Sequence, residues 1–481
     1  MMKTDMRRNR IPELDGLRVL MIAIVCWYHI FQQSWLFPGS GISRATQEWL
    51  HTYLGITGSF DWLAQTGYIW VDGTVLLSVF LLYLPWAEAK RTGAPVPDTG
   101  DFYYRRARRV IPAYYFIVLC HLLFIALPWK LYGNNMPLMV RDLATHLTFT
   151  FTGHAETLLY TQLGGAAWTL AILVQGYLLF PWIARGIRKH PVPVLAGMAL
   201  VTLGYRAWCL WGLQDYSMVV NQLVNFLDVY VIGILCATGY DAARARQERK
   251  PAARRNRYIR ESVMTVLFLA ALYGLFRMLM VQSHFHGAEL QARQMMHRPV
   301  FALCFAALIM TAPFTVLPLR KLLGNPVTRF LAGISMNFYL IHQTVAVHLK
   351  IRLNLPWTDG FIVSKLRELE KWIFQRRVEN IYPNQFWEYE DWKLQYSWLC
   401  VIVALVMAIA VTYLIEKPGA KLFDRIREKM RTRKQDAEQI LQPSDSARND
   451  SDSIPDPADV SADKNNVRNP IVPDETQITD H

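Results

Sequence analysis

The sequence predicts an all-α, polytopic integral membrane protein with about ten transmembrane helices and both termini in the cytoplasm. Three observations carry this. The 481 residues are 52% hydrophobic and only 19% charged, and the apolar residues arrive in long blocks separated by short basic stretches, a pattern of repeated membrane spans. The net charge of +13 resides between those blocks, where its natural partner is the anionic lipid of the cytoplasmic leaflet; no nucleic acid is expected. All six cysteines (Cys26, Cys120, Cys209, Cys236, Cys304, Cys400) fall inside apolar blocks with neither zinc nor redox spacing, so they read as buried apolar side chains without disulfides.

In chain order, a basic start (Lys3, Arg7, Arg8, Arg10) precedes an apolar run over about 14–37 with no small-residue cleavage site after it, which reads as an anchor and not a removed signal. Further spans are expected near 62–85, 110–131, 165–184, 192–213, 222–240, 261–281, 298–318, 333–354 and 395–415. An even count puts both ends on one side. The loop 86–109 holds six basic residues and 241–260 eight, whereas 39–61 has only Arg44 and 214–221 none, so the positive-inside rule assigns both termini to the cytoplasm. The loop 355–394 dissents with six basic residues interleaved with acids; its segment SKLRELEKWIFQRRVEN suits a helix on the outer surface or a cap over a cleft. From Gln435 on, eleven acids meet three basic residues amid Ser, Asn and Pro. Residues 1–425 are thus expected to form the membrane domain and 426–481 a basic-to-acidic, disordered cytoplasmic tail. No internal repeat, phosphate-binding glycine loop, nucleophile elbow or metal-ligand pattern is present, so any chemistry must use polar residues within the membrane.

Those residues are few. In the first span Arg18 and His29 are eleven positions apart, which returns them to one helix face about 16 Å apart along the axis. This places Arg18 at the cytoplasmic edge and His29 near mid-bilayer. The offset suits a ligand with an anionic head and a long thin arm; alternatively Arg18 snorkels to headgroups beside Asp15 and His29 bonds a neighbouring helix. Asp72, in GYIWVDGTVLLSVF, has a similar depth and needs a partner: an imidazole it would orient, or Ser78 or a backbone group. FYYRRARRVIPAYY brings Arg105, Arg106, Arg108 and Arg109 to the cytoplasmic start of the third span, either as a topology anchor or as a phosphate cradle of guanidinium forks. Ser335, Tyr339 and His342 lie at offsets 0, 4 and 7 on one face of the ninth span, with His342 at the depth of His29. Gln175 and Asp228 are weaker candidates for lining the same polar cavity.

These segments, in this order, resemble the membrane-bound acyltransferase-3 family over about residues 11–425. Arg18 and His29 match its Arg-x10-His element, GYIWVDGTVLLSVF its glycine–aspartate segment, FYYRRARRVIPAYY its Arg-Arg-x-x-Arg-Ile-x-Pro segment, SMNFYLIH its Ser-x-x-x-Tyr-Leu-x-His segment, and YLIEKP, with Glu416 and Pro418, the element closing the last span. One departure stands out. AAWTLAILVQGYLLFP aligns with a segment that usually reads Trp-Ser-Leu-Ser-Val-Glu-Glu-Gln-Phe-Tyr, so Trp168 and Gln175 remain while the paired acids become Leu173 and Val174.

The resemblance implies an O-acyltransferase of a cell membrane, expected to be bacterial. It would take an acyl group, acetyl foremost, from cytoplasmic acyl-CoA and deliver it to a hydroxyl of an extracytoplasmic carbohydrate or lipid-linked glycan. No tightly bound cofactor and no metal are expected. Arg18, Arg105, Arg106 and Arg109 would bind the coenzyme A phosphates. His29 would be the general base, oriented by Asp72 and His342, and Trp168, Gln175, Ser335 and Tyr339 would contact substrate. A transporter or flippase using the same groups, and a noncatalytic acyl-CoA-binding relative, are the alternatives.

Overall fold

The structure, a computed structural model, describes residues 10–34, 44–57, 60–249, 254–354 and 390–441. Ten helices among them are long and apolar enough to cross a membrane, one for each expected span, and no strand occurs among the described residues. This is an all-α polytopic membrane protein. The spans are α1 (Pro12–Ser34), α2 (Trp70–Thr92), α3 (Thr99–His121), α4 (Trp168–Lys189), α5 (Pro191–Gly212), α6 (Leu227–Arg249), α7 (Arg254–Gln282), α8 (Gly287–Thr311), α9 (Pro326–Asn354) and α10 (Glu390–Val411). A π-helical turn, Thr412–Glu416, then leads into α11 (Lys417–Leu441). Residues 426–441, expected to be disordered, are therefore helical, and 442–481 lie outside the described residues, as does 355–389 with its expected surface helix. By contacts, residues 1–423 form one compact unit and 424–481 a second.

Burial separates the spans. α2 is the most enclosed and packs most extensively on α6, whereas α5 and α7 are the least buried, with apolar faces free for lipid. One apolar core gathers α2, α6 and α8 around Val75, Phe80, Val229 and Phe305. A second gathers α3, α4, α9 and α10 around Tyr114, Ala171, Ile341 and Ala404. Small residues bring helix axes close where the cores meet. A β-carbon on Gly176 of α4 would collide with the hydroxyl of the fully buried Tyr230 on α6.

α1 and α9 run side by side. Just ahead of α9 the short helix Leu317–Leu323 meets the start of α1: a β-carbon on Gly16 would collide with the backbone of Leu323, and one on Gly324 would press on Pro12. At their far ends Lys350 Nζ donates to the carbonyl of Gln33 at 2.6 Å, satisfying one of the carbonyls left open at a helix C-terminus.

The connection between α3 and α4 is built around a buried carboxylate. Asp142 accepts from Tyr132 Oη at 2.6 Å, from Thr161 Oγ1 at 3.1 Å and from the Gln162 backbone N–H at 3.2 Å. His146 Nδ1 lies 3.0 Å from its other oxygen, and the His146 ring stacks on Phe151. Burial pushes the Asp142 carboxyl up, but the hydrogen bonds from His146, Tyr132 and Gln162 outweigh it and hold the group below the usual carboxylate range. A depressed pKa in the folded state stabilises above the unfolded value and is lost as pH falls through the folded one. Asp142→Asn should therefore lower stability by about 1–3 kcal/mol near neutral pH. The melting-temperature gap to the wild type should stay constant from pH 8 to 5 and close only below about pH 4. A gap that shrinks near neutrality would show that the carboxylate is not what holds the loop.

Candidate active site

Where the two cores part, five spans surround a cavity. Arg18 and Ile22 of α1, Thr74 and Ser78 of α2, Arg106 and Arg109 of α3, Thr169, Leu173 and Tyr177 of α4, and Ser335 and Tyr339 of α9 line a narrow space of about 140 Å³. Arg18, Arg106 and Arg109 also line a wider vestibule of about 1140 Å³, formed with the ends of α2 and α6. The three arginines stand at the junction of the two.

Pairing distinguishes them from their neighbours. In the vestibule Arg10 bonds Asp15 at 2.7 Å, Arg91 bonds Asp241 at 2.6 Å and Arg244 bonds Glu248 at 3.0 Å. Arg18, Arg105, Arg106 and Arg109 form no ion pair among the described residues. Arg106 sits beside the rings of Phe102 and Tyr177, its guanidinium carbon 5.2 and 5.8 Å from their centroids, and its Nε is buried without a hydrogen-bond partner. Arg109 is close enough to Glu416, and Arg18 to Asp15, to feel the acid's charge, but neither is gripped by it, and cations not already bridged to a carboxylate are what a polyanionic ligand requires. Arg108, one residue from this group, lines neither space.

Further along the α1–α9 seam, the expected pairing of faces is realised. The ring centroids of His29 and His342 are 5.1 Å apart. His342 Nδ1 lies 2.7 Å from the Tyr339 carbonyl; a carbonyl only accepts, so Nδ1 carries the proton of the neutral ring and Nε2 is bare. That Nε2 is buried with no partner. On α1, Gln32 Nε2 donates to Tyr28 Oη at 2.8 Å, leaving Gln32 Oε1, 3.2 Å from His29 Nδ1, to accept the Nδ1 proton. Both imidazoles thus direct an unprotonated Nε2 away from their anchoring bonds. Gln32 is a site residue that the sequence motifs did not reveal.

Asp72 is not part of this pair. Its Oδ2 accepts from Arg298 Nε at 3.1 Å, with both side chains buried, and Arg298 also donates to the carbonyls of Val220 and Asn225 and lies over the Phe226 ring. Arg206 completes the cluster, bonding Asp228 at 2.7 Å and Asn225 Oδ1 at 2.7 Å. The expectation that Asp72 orients His29 gives way to a physical requirement: a carboxylate within the membrane takes the strongest available countercharge, a guanidinium. Asp228 likewise belongs to this cluster and not to the cavity wall. Two lone arginines inside predicted spans, Arg206 and Arg298, were the signal that Asp72 and Asp228 had partners.

The substrate candidates divide. Ser335 and Tyr339 line the cavity, and Tyr339 Oη meets Thr169 Oγ1 at 2.7 Å. Gln175 does not: its Nε2 donates to the Phe149 carbonyl at 2.9 Å and to Thr152 at 3.0 Å. It thereby holds Phe149, whose positive φ of 57° is costly for a residue other than glycine. Trp168 is wedged between the two apolar cores and lies outside the cavity lining. Of the two positions where acids were expected, Leu173 faces the cavity while Val174 packs into the second core. At the end of α10, Asn337 donates to Thr412 and to Glu416, each at 2.7 Å, and Gly419 closes on Pro112 of α3. The YLIEKP segment therefore docks against both the arginine-bearing helix and the histidine-bearing one.

A family model described as an acyltransferase domain matches residues 11–417. The chain belongs to the acyltransferase-3 family. This acyltransferase is thus a multi-pass membrane enzyme, and its family segments converge on the cavity and the seam above it, apart from the Asp72 segment, where Thr74 and Ser78 line the cavity while the acid itself turns away. No curated protein and no solved structure matches the chain.

Removing Asp72 should expose its role. Asp72→Leu leaves Arg298 buried and unpaired, a loss of about 3–5 kcal/mol, to be read as reduced yield and melting temperature. The double variant Asp72→Leu/Arg298→Met should recover part of that loss. Normal stability with lost turnover in the single variant would return Asp72 to the reaction.

Proposed function

We propose that this acyltransferase moves an acyl group, acetyl foremost, from cytoplasmic acyl-CoA to a hydroxyl of an extracytoplasmic carbohydrate or lipid-linked glycan at the cell membrane, with the basic loops and both termini on the cytoplasmic side. The observation that carries the reading is the junction of vestibule and cavity at three arginines that form no ion pair, followed along the α1–α9 seam by paired imidazoles with bare Nε2 atoms. Arg18, Arg105, Arg106 and Arg109 hold the phosphates, and the narrow cavity admits the pantetheine arm and excludes the bulky head. Arg18 to His29 spans about 16 Å, a distance that an extended arm bridges.

In the proposed reaction His29 Nε2 takes the proton from the acceptor hydroxyl. The alkoxide oxygen attacks the thioester carbonyl, a C–O bond forms as the C–S bond breaks, and coenzyme A leaves as a thiolate that takes the proton held by His29, which restores the neutral imidazole. Gln32 keeps the His29 Nδ1 proton engaged, so Nε2 is the basic atom, while His342, held by the Tyr339 carbonyl, sets the ring beside it. The hydroxyls of Tyr339 and Thr169, which line the cavity and bond one another, serve as donors to the oxyanion. With Leu173 in place of an acid, the α4 wall contributes no carboxylate to the cavity, which concentrates acid–base work on the histidines.

Arg106→Ala and Arg109→Ala should each weaken acyl-CoA binding by about 1.5–3 kcal/mol, the worth of a charged hydrogen bond, with lysine restoring only part of it. His29→Gln should lower turnover by about 10²- to 10⁴-fold at near-normal acyl-CoA affinity and melting temperature. Wild-type turnover in folded His29→Gln protein would reject this assignment and move the base to His342. Binding of acyl-CoA with no thioester consumption by the wild type would identify a transporter or a noncatalytic binder.

A further inference from the structure

The last span does not stop where its apolar sequence ends. One residue after Glu416 the chain enters α11, and Lys417–Arg433 contains seven basic and two acidic residues, too many for this stretch to remain within hydrocarbon. Its apolar residues are nevertheless ordered. At about 100° per residue, Leu422, Ile426 and Met430 fall on one side of the helix, and all three are exposed, at 56%, 47% and 61%. Lys421, Arg425 and Lys429 follow one edge of that stripe and Arg427 borders the other. Asp424 and Glu428 lie opposite its centre.

We infer that α11 binds the surface of an anionic bilayer, lying in the interface with Leu422, Ile426 and Met430 inserted among the acyl chains. Three features point to this partner. The stripe begins six residues after Glu416, where the apolar sequence of the last span gives way, and so within about 10 Å of that point at the 1.5 Å rise of a helix, which delivers it to the bilayer surface. Cations along both edges of the apolar sector are placed to meet lipid phosphates, while the two acids are carried at the greatest distance from them. The π-helical turn Thr412–Glu416 and Pro418 supply the break in helical regularity at which a helix changes direction. The chain's own acidic segment 442–481 would satisfy the cations, but apart from Ile471–Val472 its apolar residues are isolated, so it offers no stripe long enough to cover three turns of helix.

The test uses the full chain carrying Ile426→Cys or Glu428→Cys, each nitroxide-labelled, in phosphatidylcholine nanodiscs with about 30% phosphatidylglycerol, a composition that gives the surface a negative potential. Neither position contributes to an apolar core, so the spans are not at stake. The label at 426 should be accessible to oxygen and shielded from a water-soluble nickel chelate, with the opposite result at 428, and the contrast should collapse in pure phosphatidylcholine. Equal nickel accessibility at the two positions in the anionic discs would overturn the proposal, as would a contrast that ignores lipid charge. Loss of shielding at 426 when the chain is stopped after Leu441 would overturn it too, by showing that the acidic tail is the cover.

Discussion

The fold depends on a buried set of charges that could not exist singly. Asp72 with Arg298 and Asp228 with Arg206, joined through Asn225, connect α2, α8, α6 and α5 at a depth where no water can substitute for a missing partner. Each ion alone would be strongly destabilising; together they are electrically neutral, although Asp72 Oδ1 and one terminal nitrogen of Arg298 are left without hydrogen-bond partners. Apolar side chains pack with some latitude, but a guanidinium fork over a carboxylate has few acceptable geometries. The cluster therefore fixes where α2 stands, and α2 in turn presents Thr74, Leu77 and Ser78 to the cavity.

Against that frame the enzyme sorts its arginines by partner. Those that hold helices together are neutralised: Arg298 and Arg206 in the interior, Arg91 against Asp241 at the end of α2. Those around the mouth of the cavity are left with their charge unspent. A guanidinium already bound to a carboxylate would have to exchange one anion for another, with little gain. Leaving the mouth arginines without a direct ion pair keeps their hydrogen-bonding forks open to an incoming anion. The α3 helix shows the distinction within one turn, since Arg106 and Arg109 face the cavity and Arg108 does not.

The spans were legible because a run of about twenty apolar residues has one physical outcome in a chain that meets lipid. The facing of α1 and α9 was legible too: offsets of eleven, four and seven all close on a single helix face, and the His29–His342 approach follows from them. The sequence did not disclose interactions that join distant positions without a period. Asp72 finds Arg298 more than two hundred residues away, and Gln175 turns from the cavity to support Phe149, a need visible only once the backbone at Phe149 is known. Trp168 was expected at the substrate because of its motif, but an indole also fills the gap between two cores, and that is where it lies. Composition misjudged α11 for a similar reason: a high charge density hides an apolar stripe that only the helical register reveals.

The two ends of the α1–α9 seam are held by unlike means. At the arginine end α1 meets the turn that leads into α9 through glycine, Gly16 against the Leu323 backbone and Gly324 against Pro12, and backbone cannot yield by changing a rotamer. At the histidine end the tie is Lys350, a side chain with four rotatable bonds, reaching the Gln33 carbonyl. A methyl group added at Gly16 would therefore push on backbone that has no rotamer to change, whereas removing the Lys350 ammonium would free a single carbonyl, so sequence change is costly at one end of the seam and cheap at the other.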